Sequence, residues 1–235
     1  EVVAGTGDSQ TGGGLGTYNL SYTASTNTPG FNSWAMKTVV TNPDGSTDTV
    51  YTNFIAEVML DDHYDPASAL HTDHFYEYNT NAQLILDAAP SAVSGYSDLY
   101  ADLLNNVNGQ YQYLNNSSGL ITRYDYYTTT TATETAAGGV VNYQQDVQLQ
   151  QGQQGTLLPQ ETWQYFAHAY NGQTIAPVAT DTVYRNSDGT GAETTSSTYT
   201  WFTGTAQMQS ETDTAPVISA AQNGPGVADV TTTYF

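Results

Sequence analysis

A dense group of acidic and histidine side chains lies between residues 61 and 74. Asp-Asp-His-Tyr-Asp runs from 61 to 65, and His-Thr-Asp-His runs from 71 to 74. Imidazole together with carboxylate is a donor set for zinc or another divalent cation, whereas carboxylate oxygens alone suit calcium. The residues that could hold a metal are Asp61, Asp62, His63, Asp65, His71, Asp73 and His74.

The same stretch has a simpler interpretation. Its spacing matches neither a His-Glu-x-x-His helix nor an EF-hand loop. A chain with 23 acidic residues also contains acidic clusters that hold no metal. Because the alternation of apolar and polar residues breaks here, we predict a loop over 61–73. That loop either binds a cation or is simply solvated.

Aromatic side chains offer a second chemistry, the stacking of sugar rings. The candidates for such a platform are Tyr124, Tyr126, Trp163 and Tyr165. The alternative is that these rings form cross-strand pairs, which stabilise a sheet by about 0.2–1 kcal/mol each. Asn19, Asn115 and Asn116 fit the acceptor pattern for N-glycosylation.

No pattern of catalytic residues is evident. There is no Gly-x-Ser-x-Gly elbow and no glycine-rich loop followed by the lysine of a phosphate site. His168 lies in an alternating strand pattern. Paired carboxylates for glycoside hydrolysis leave no local mark in a sequence, but strand glutamates are more simply outward-facing polar positions. We therefore expect no enzymatic activity, and no cofactor other than calcium or another divalent cation.

The charge balance excludes several partners. The formal net charge is −20, from 23 acidic and 3 basic residues. Phosphate backbones bind through Lys and Arg, so a nucleic-acid partner is excluded and anionic membrane surfaces are disfavoured. No apolar run approaches the ~20 residues that span a bilayer, and we expect no membrane insertion. The chain has no cysteine, which rules out disulfides and thiolate metal sites.

The pattern of residues predicts a mainly β protein with long antiparallel strands joined by hairpins. Residues 17–24 alternate as a first strand, and Asn-Pro-Asp-Gly at 42–45 has the composition of a tight turn. Asn171-Gly172 is a strong signal for a two-residue hairpin. Strands this long, with successive turns, favour an extended meander rather than a compact sandwich.

One helix is predicted, within residues 91–107. Val93, Tyr96, Tyr100, Leu103 and Val107 recur at three- and four-residue steps. We expect this helix to be an insertion that covers the open side of the sheet. The glycine-rich residues 1–16 predict a flexible lead-in, and residues 17–235 a single β-rich module.

The stretch 75–86, F-Y-E-Y-N-T-N-A-Q-L-I-L, predicts a hairpin built on tyrosines. It resembles the YD repeat, also called the RHS repeat, whose core reads approximately Y-x-Y-D-x-x-G-R-L. Tyr76, Tyr78 and Leu84 stand at the aromatic and apolar positions of that repeat, and Asn79 stands where the family has Asp. The Gly and Arg of the family are replaced by Ala and Gln. Weaker similarities occur at 42–45, 123–126 and 184–189.

The resemblance implies a segment of a large bacterial protein that is secreted or displayed on the cell surface. Its function would be architectural, as part of a shell, stalk or fibre, in an extended and curled sheet. The polar β composition agrees with that location. Its partners would be neighbouring segments of the same protein or further copies of itself. The alternative is a carbohydrate-binding or adhesive module assisted by calcium.

The last residues, 227–235, read as a strand without a terminating turn. We therefore expect the polypeptide to continue, or this strand to pair with another chain. Open strand edges allow such joining through backbone hydrogen bonds.

Overall fold

A computed structural model describes residues 2–3 and 16–235, and the fold in these residues is nearly all β. The predicted β class is thus confirmed. The strands are β1 (Val2–Val3), β2 (Thr17–Ala24), β3 (Met36–Thr41), β4 (Thr47–Thr52), β5 (Val58–Asp65), β6 (Leu70–Tyr78), β7 (Leu84–Ala88), β8 (Asn106–Val107), β9 (Gln110–Tyr111), β10 (Leu120–Tyr126), β11 (Gln144–Gln151), β12 (Leu158–Tyr165), β13 (His168–Tyr170), β14 (Gln173–Ile175), β15 (Val178–Tyr184), β16 (Ala192–Trp201), β17 (Met208–Thr214) and β18 (Val230–Tyr234). Within the described ranges, the only helical residues form the 3-10 turn Ala220–Gln222. None of the described helical structure is long and apolar enough to cross a bilayer.

The strands form a meander in which chain order and sheet order agree. The order is β1-β2-β3-β4-β5-β6-β7-β10 in the first of two compact units, and β11-β12-β15-β16-β17-β18 in the second. The two short pairs β8–β9 and β13–β14 lie outside that series. The predicted two-residue turn Asn171-Gly172 joins β13 to β14, with both residues in the left-handed region that such a turn needs. The antiparallel hairpins predicted from the turn residues are therefore present.

The contacts fall into two compact units. The first comprises residues 1–123 and 150–156, and the second comprises 124–149 and 157–235. The predicted lead-in 1–16 lies mostly outside the described residues, although Val2 pairs with Tyr18 and Val3 with Thr17. The single module over 17–235 stays a prediction.

One face of the sheet carries the core of the first unit. Leu60 lies opposite Phe75 in the β5–β6 ladder, and both are fully buried. The segment 89–119, whose only strands are the short β8 and β9, covers this face. The buried cluster consists of Trp34, Tyr51, Met59, Leu60, Phe75, Leu86, Ala88, Ala92, Val93, Leu103, Leu104, Tyr111, Leu114 and Ile121.

The predicted helix at 91–107 is wrong: Val93 and Leu103 are buried against the sheet, but Tyr100 and Val107 are exposed. Successive turns replace it: Tyr100 N–H donates to Ser97 O, and Leu103 N–H donates to Tyr100 O. Leu103 and Asn105 then have left-handed φ values of 67° and 55°, which no α-helix tolerates. The apolar residues at helical spacing therefore do not share one face, and their periodicity does not reflect a helix.

The core of the second unit is smaller and built on aromatic rings. Ala132, Val140 and Tyr165 are buried, and Tyr127 and Trp163 pack against them. The Tyr165 hydroxyl donates to Gln144 O at 2.9 Å, and the Tyr127 hydroxyl donates to Trp163 O at 2.8 Å. Each ring thus buries its apolar body while its polar end finds a partner.

Four hairpin turns share one backbone geometry, and each begins at an asparagine. In the turn after β6, Asn79 N–H donates to Gln83 O and Ala82 N–H donates back to Asn79 O. The turns that begin at Asn42, Asn53 and Asn186 repeat both bonds at the same spacing. The fourth residue of each is left-handed: Gly45 (89°), Ala56 (69°), Ala82 (62°) and Gly189 (79°).

The side chains of these turns repeat as well. In all four, the Asn Nδ2 donates to a side-chain oxygen four residues later, on Ser46, Glu57, Gln83 or Thr190. In the turn at Asn79, its own Oδ1 also accepts the backbone N–H groups of Asn81 and Gln83. The turn at Asn53 has the same pair of bonds. In the other two turns, an aspartate (Asp44 or Asp188) accepts the N–H and the hydroxyl of the fifth residue.

Candidate metal centre

The acidic stretch 61–74 folds as a hairpin rather than as the predicted loop. Its residues belong to β5 and β6, and only a short turn separates these strands. The sequence shows no alternation of apolar and polar residues here, because the inward-facing positions of both strands carry carboxylates instead of apolar side chains. Residue types therefore did not distinguish the buried face from the exposed one.

The pleat of this hairpin divides the seven predicted ligands. Asp62 lies opposite Asp73, whereas Asp61 lies opposite His74. Since side chains alternate between faces, Asp62, Asp73 and His71 share the face of the core, and the face of Asp61 and His74 also carries His63. Asp65 belongs to neither group: its carboxylate closes the turn by accepting Ala67 N–H and the Ser68 hydroxyl.

Three of the seven residues come together. Asp62, His71 and Asp73 each place one potential ligand atom within 4.8 Å of the others. The His71 Nδ1 lies 2.9 Å from Asp62 Oδ2. Both aspartates are buried, at 3% and 7% exposure, while the His71 side chain is 52% exposed. The cluster thus has two buried carboxylates and one accessible imidazole.

Asp73 is the unusual member of this cluster. Its Oδ1 is buried without a hydrogen-bond partner. Burial raises the pKa of Asp73 to about 7, and the adjacent Asp62 carboxylate contributes to the rise. A buried carboxylate beside another like charge needs a proton or a cation. The arrangement can therefore hold a positive ion.

Two tyrosines position the cluster. The Tyr96 hydroxyl donates to Asp62 Oδ2 at 3.1 Å. The Tyr64 ring lies against the His71 ring, with their centroids 4.6 Å apart. Tyr96 comes from the segment that covers the sheet, 34 positions away from Asp62. No local signal in the sequence connects them.

A cleft of about 450 Å³ opens beside the cluster. His71, Asp73 and Tyr96 line it, together with Lys37 and Asp98. The Lys37 Nζ lies 3.1 Å from Asp98 Oδ2, so one of the three cations of the chain stands in the wall of the cleft. Sequence reasoning missed Lys37, Tyr96 and Asp98 because separate parts of the chain supply them.

The histidines on the opposite face each pair with one aspartate. His63 Nδ1 lies 2.6 Å from Asp48 Oδ1, and this contact raises the pKa of His63. His74 contacts Asp87 and stacks on the Tyr76 ring. Among the described residues, Asp62, His71 and Asp73 form the one group of three with the geometry of a metal site.

The predicted aromatic platform is only partly exposed. Tyr165 is buried at 7% exposure in the core of the second unit, so it cannot stack on a sugar. Tyr124, Tyr126 and Trp163 are half-buried. Asn19 and Asn116 are exposed, whereas Asn115 is half-buried and donates to Ser91 O.

The residues of the predicted YD-like hairpin occupy the hairpin β6–β7. Tyr78 lies opposite Leu84, and its hydroxyl donates to Val58 O at 2.8 Å. Tyr76 lies opposite Asp87, on the face that carries His74. Asn79 opens the turn. These positions serve strand pairing and turn formation.

Comparison with protein-family models gives no match, and comparison with curated proteins gives none either.

Proposed function

We propose that this chain is a structural β module of a bacterial secreted or cell-surface protein with YD-like repeats, forming part of a shell, stalk or fibre. The observation that carries the proposal is the recurrence of one turn at Asn42, Asn53, Asn79 and Asn186, with the same backbone and side-chain bonds each time. Recurrence of one local unit is typical of proteins that extend by repetition.

Cross-strand hydroxyl pairs support the same role. Three such pairs tie the last four strands of the sheet together: Thr182 with Thr194, Thr200 with Ser210, and Thr212 with Thr232. Their oxygen–oxygen distances are 2.6–2.8 Å. Such pairs stabilise neighbouring strands while leaving a polar surface. They agree with a sheet whose task is to hold its shape in water.

Joining through a strand edge is part of the proposal. Among the described strands, β18 pairs only with β17, and its side chains are exposed. Phe235 N–H donates to Gln209 O. Because backbone groups alternate along a strand, the N–H groups of Thr232 and Tyr234 point away from β17. They are the donors with which another strand would pair.

Light scattering with negative-stain imaging tests this joining. We expect the purified chain to form rods or regular polymers as its concentration rises. Tyr234→Pro should abolish them because it removes an outward N–H, whereas Tyr234→Ala should keep them because it removes only the ring. A 25.2 kDa monomer at every concentration, or equal behaviour of the two variants, would contradict joining through β18.

Glycan binding is the second candidate function. An open groove of about 380 Å³ in the second unit is lined by Tyr127 and Trp163 together with threonines. Aromatic faces beside hydroxyl groups suit sugar rings. Polysaccharide pull-down tests this function: binding should be lost in Trp163→Ala and kept in Tyr22→Ala, which removes an exposed ring from the first unit.

A further inference from the structure

The geometry points to a binding site for a divalent cation of the zinc type, formed by Asp62, His71 and Asp73 in the first unit. This site is independent of the structural role proposed above. It rests on the approach of three donor atoms to within 4.8 Å of one another and on the environment of Asp73.

The environment of Asp73 is the independent observation. Asp73 is more than nine-tenths buried, and its Oδ1 has no hydrogen-bond partner. Buried polar atoms are nearly always paired in native proteins, and an exception calls for an explanation such as an ion. Asp62 lies directly across the ladder, so a cation between the two carboxylates would satisfy Asp73 and offset the charge of both.

The donor set selects the class of metal. Calcium takes six to eight oxygen ligands, but one of the three protein donors here is the nitrogen of His71. Zinc binds His nitrogen and Asp oxygen, and three protein ligands leave a fourth position for water or another ligand. Since His71 and Asp73 line the cleft, such a ligand could reach the metal from there.

Tyr96 acts as a positioning residue for the site. Its hydroxyl donates to Asp62 Oδ2 and so fixes the orientation of one ligand. Loss of an outer partner of this kind typically weakens metal affinity about 10–100-fold. The bond also links the hairpin β5–β6 to the segment that covers it. Metal binding should therefore stabilise this segment together with the hairpin.

Isothermal titration calorimetry with Zn²⁺, on the full chain after treatment with a chelator, tests the inference. We expect one Zn²⁺ per chain, and visible absorption bands of a four-coordinate site when Co²⁺ is used instead. Ca²⁺ should bind far more weakly. His71→Ala and Asp73→Asn should each weaken Zn²⁺ binding by more than the about 10–100-fold expected of Tyr96→Phe.

His63→Ala is the matched control. His63 lies on the other face of the same hairpin, and its side chain is 51% exposed against 52% for His71. Zn²⁺ binding should be unchanged in this variant. Circular dichroism establishes whether each variant folds. If His71→Ala does not fold, Asp73→Asn still tests the site, because Asn is nearly isosteric with Asp. The inference is overturned if the wild type binds no Zn²⁺, or if Asp73→Asn binds it as the wild type does.

Discussion

Asp62 and Asp73 face each other across the β5–β6 ladder, and both are buried on the face that carries Leu60 and Phe75. Positions that would normally extend the apolar core therefore hold two adjacent carboxylates. Such a pair is costly to bury unless a positive charge lies between its members. The stability of the hairpin should thus depend on whether a proton or a metal ion supplies that positive charge.

Asp73→Asn should stabilise the protein when metal is withheld and remove the stabilisation that Zn²⁺ provides. The substitution ends the repulsion with Asp62, and an uncompensated buried polar group costs about 1–3 kcal/mol. In EDTA at pH 8, we expect the variant to unfold at higher urea concentration than the wild type. With Zn²⁺ present, the wild type should instead unfold at the higher urea concentration.

Asp61→Asn provides the control for this experiment. It removes the same charge from the neighbouring position, on the opposite face of the hairpin. Asp61 accepts a hydrogen bond from Tyr76, so its loss should cost about 0.5–1.5 kcal/mol, but the stabilisation by Zn²⁺ should equal that of the wild type. An equal response of Asp61→Asn and Asp73→Asn would contradict the assignment of the repulsion to the buried pair.

Ala82→Gly should stabilise the protein by a few tenths to about 1 kcal/mol. Ala82 has a φ of 62°, and the left-handed region costs a residue with a Cβ about 1–2 kcal/mol, partly offset by the greater chain entropy of glycine. The equivalent positions in two other turns are already Gly45 and Gly189. Urea denaturation measures the effect. Ala192→Gly, in a strand, should instead destabilise by about 0.5–1 kcal/mol.

Asn79→Ala should destabilise the protein by about 1–2 kcal/mol. The substitution removes the acceptor of Asn81 N–H and Gln83 N–H and the donor to Gln83 Oε1, and each such bond contributes about 0.5–1.5 kcal/mol. Asn79→Asp keeps both acceptor interactions and should cost less. Thr80→Ala, at the exposed neighbouring position, should be close to neutral. A loss as large in Thr80→Ala would mean that the turn does not depend on its asparagine.

Glu77→Gln should stabilise the protein near neutral pH but not at pH 4. Burial raises the pKa of Glu77 above its usual value, although Tyr111 and Arg123 oppose the rise. The folded state therefore holds the proton more tightly than the unfolded state. That contribution to stability is complete below about pH 4.3 and is lost as pH rises through the folded-state pKa.

Urea midpoints measured from pH 4 to pH 7 check this prediction. The difference between Glu77→Gln and the wild type should grow with pH. Glu193→Gln removes a surface carboxylate that pairs with Arg185, and its effect should stay below about 1 kcal/mol throughout. A constant difference for Glu77→Gln would contradict the pKa argument.

The sequence predicts the turns better than the layers of the fold. The residues from Asn42 to Gly45 identified a hairpin, because turn formation depends on a few adjacent residues. The strand at 17–24 also has the predicted bounds. The segment 91–107 was misassigned because apolar residues recur there at helical spacing without sharing a face: Val93 and Leu103 are buried, but Tyr100 and Val107 are exposed. Which residues cover a face depends on contacts between distant parts of the chain.

The acidic cluster shows the same limit. The sequence identified the stretch that contains Asp62, His71 and Asp73, but not which of the seven residues meet. That selection follows from the register of β5 against β6, which a list of residue types does not contain. Tyr96 completes the cluster from 34 positions away, and a local pattern cannot reveal it.

The order of strands within each unit has a mechanical consequence. Because neighbours in the chain are also neighbours in the sheet, tension along the polypeptide would load each strand pair across its hydrogen bonds and peel it open from an edge. The strands would detach one after another under modest force, instead of resisting together and failing at once. Such a module extends gradually under load and can refold hairpin by hairpin when the tension is released.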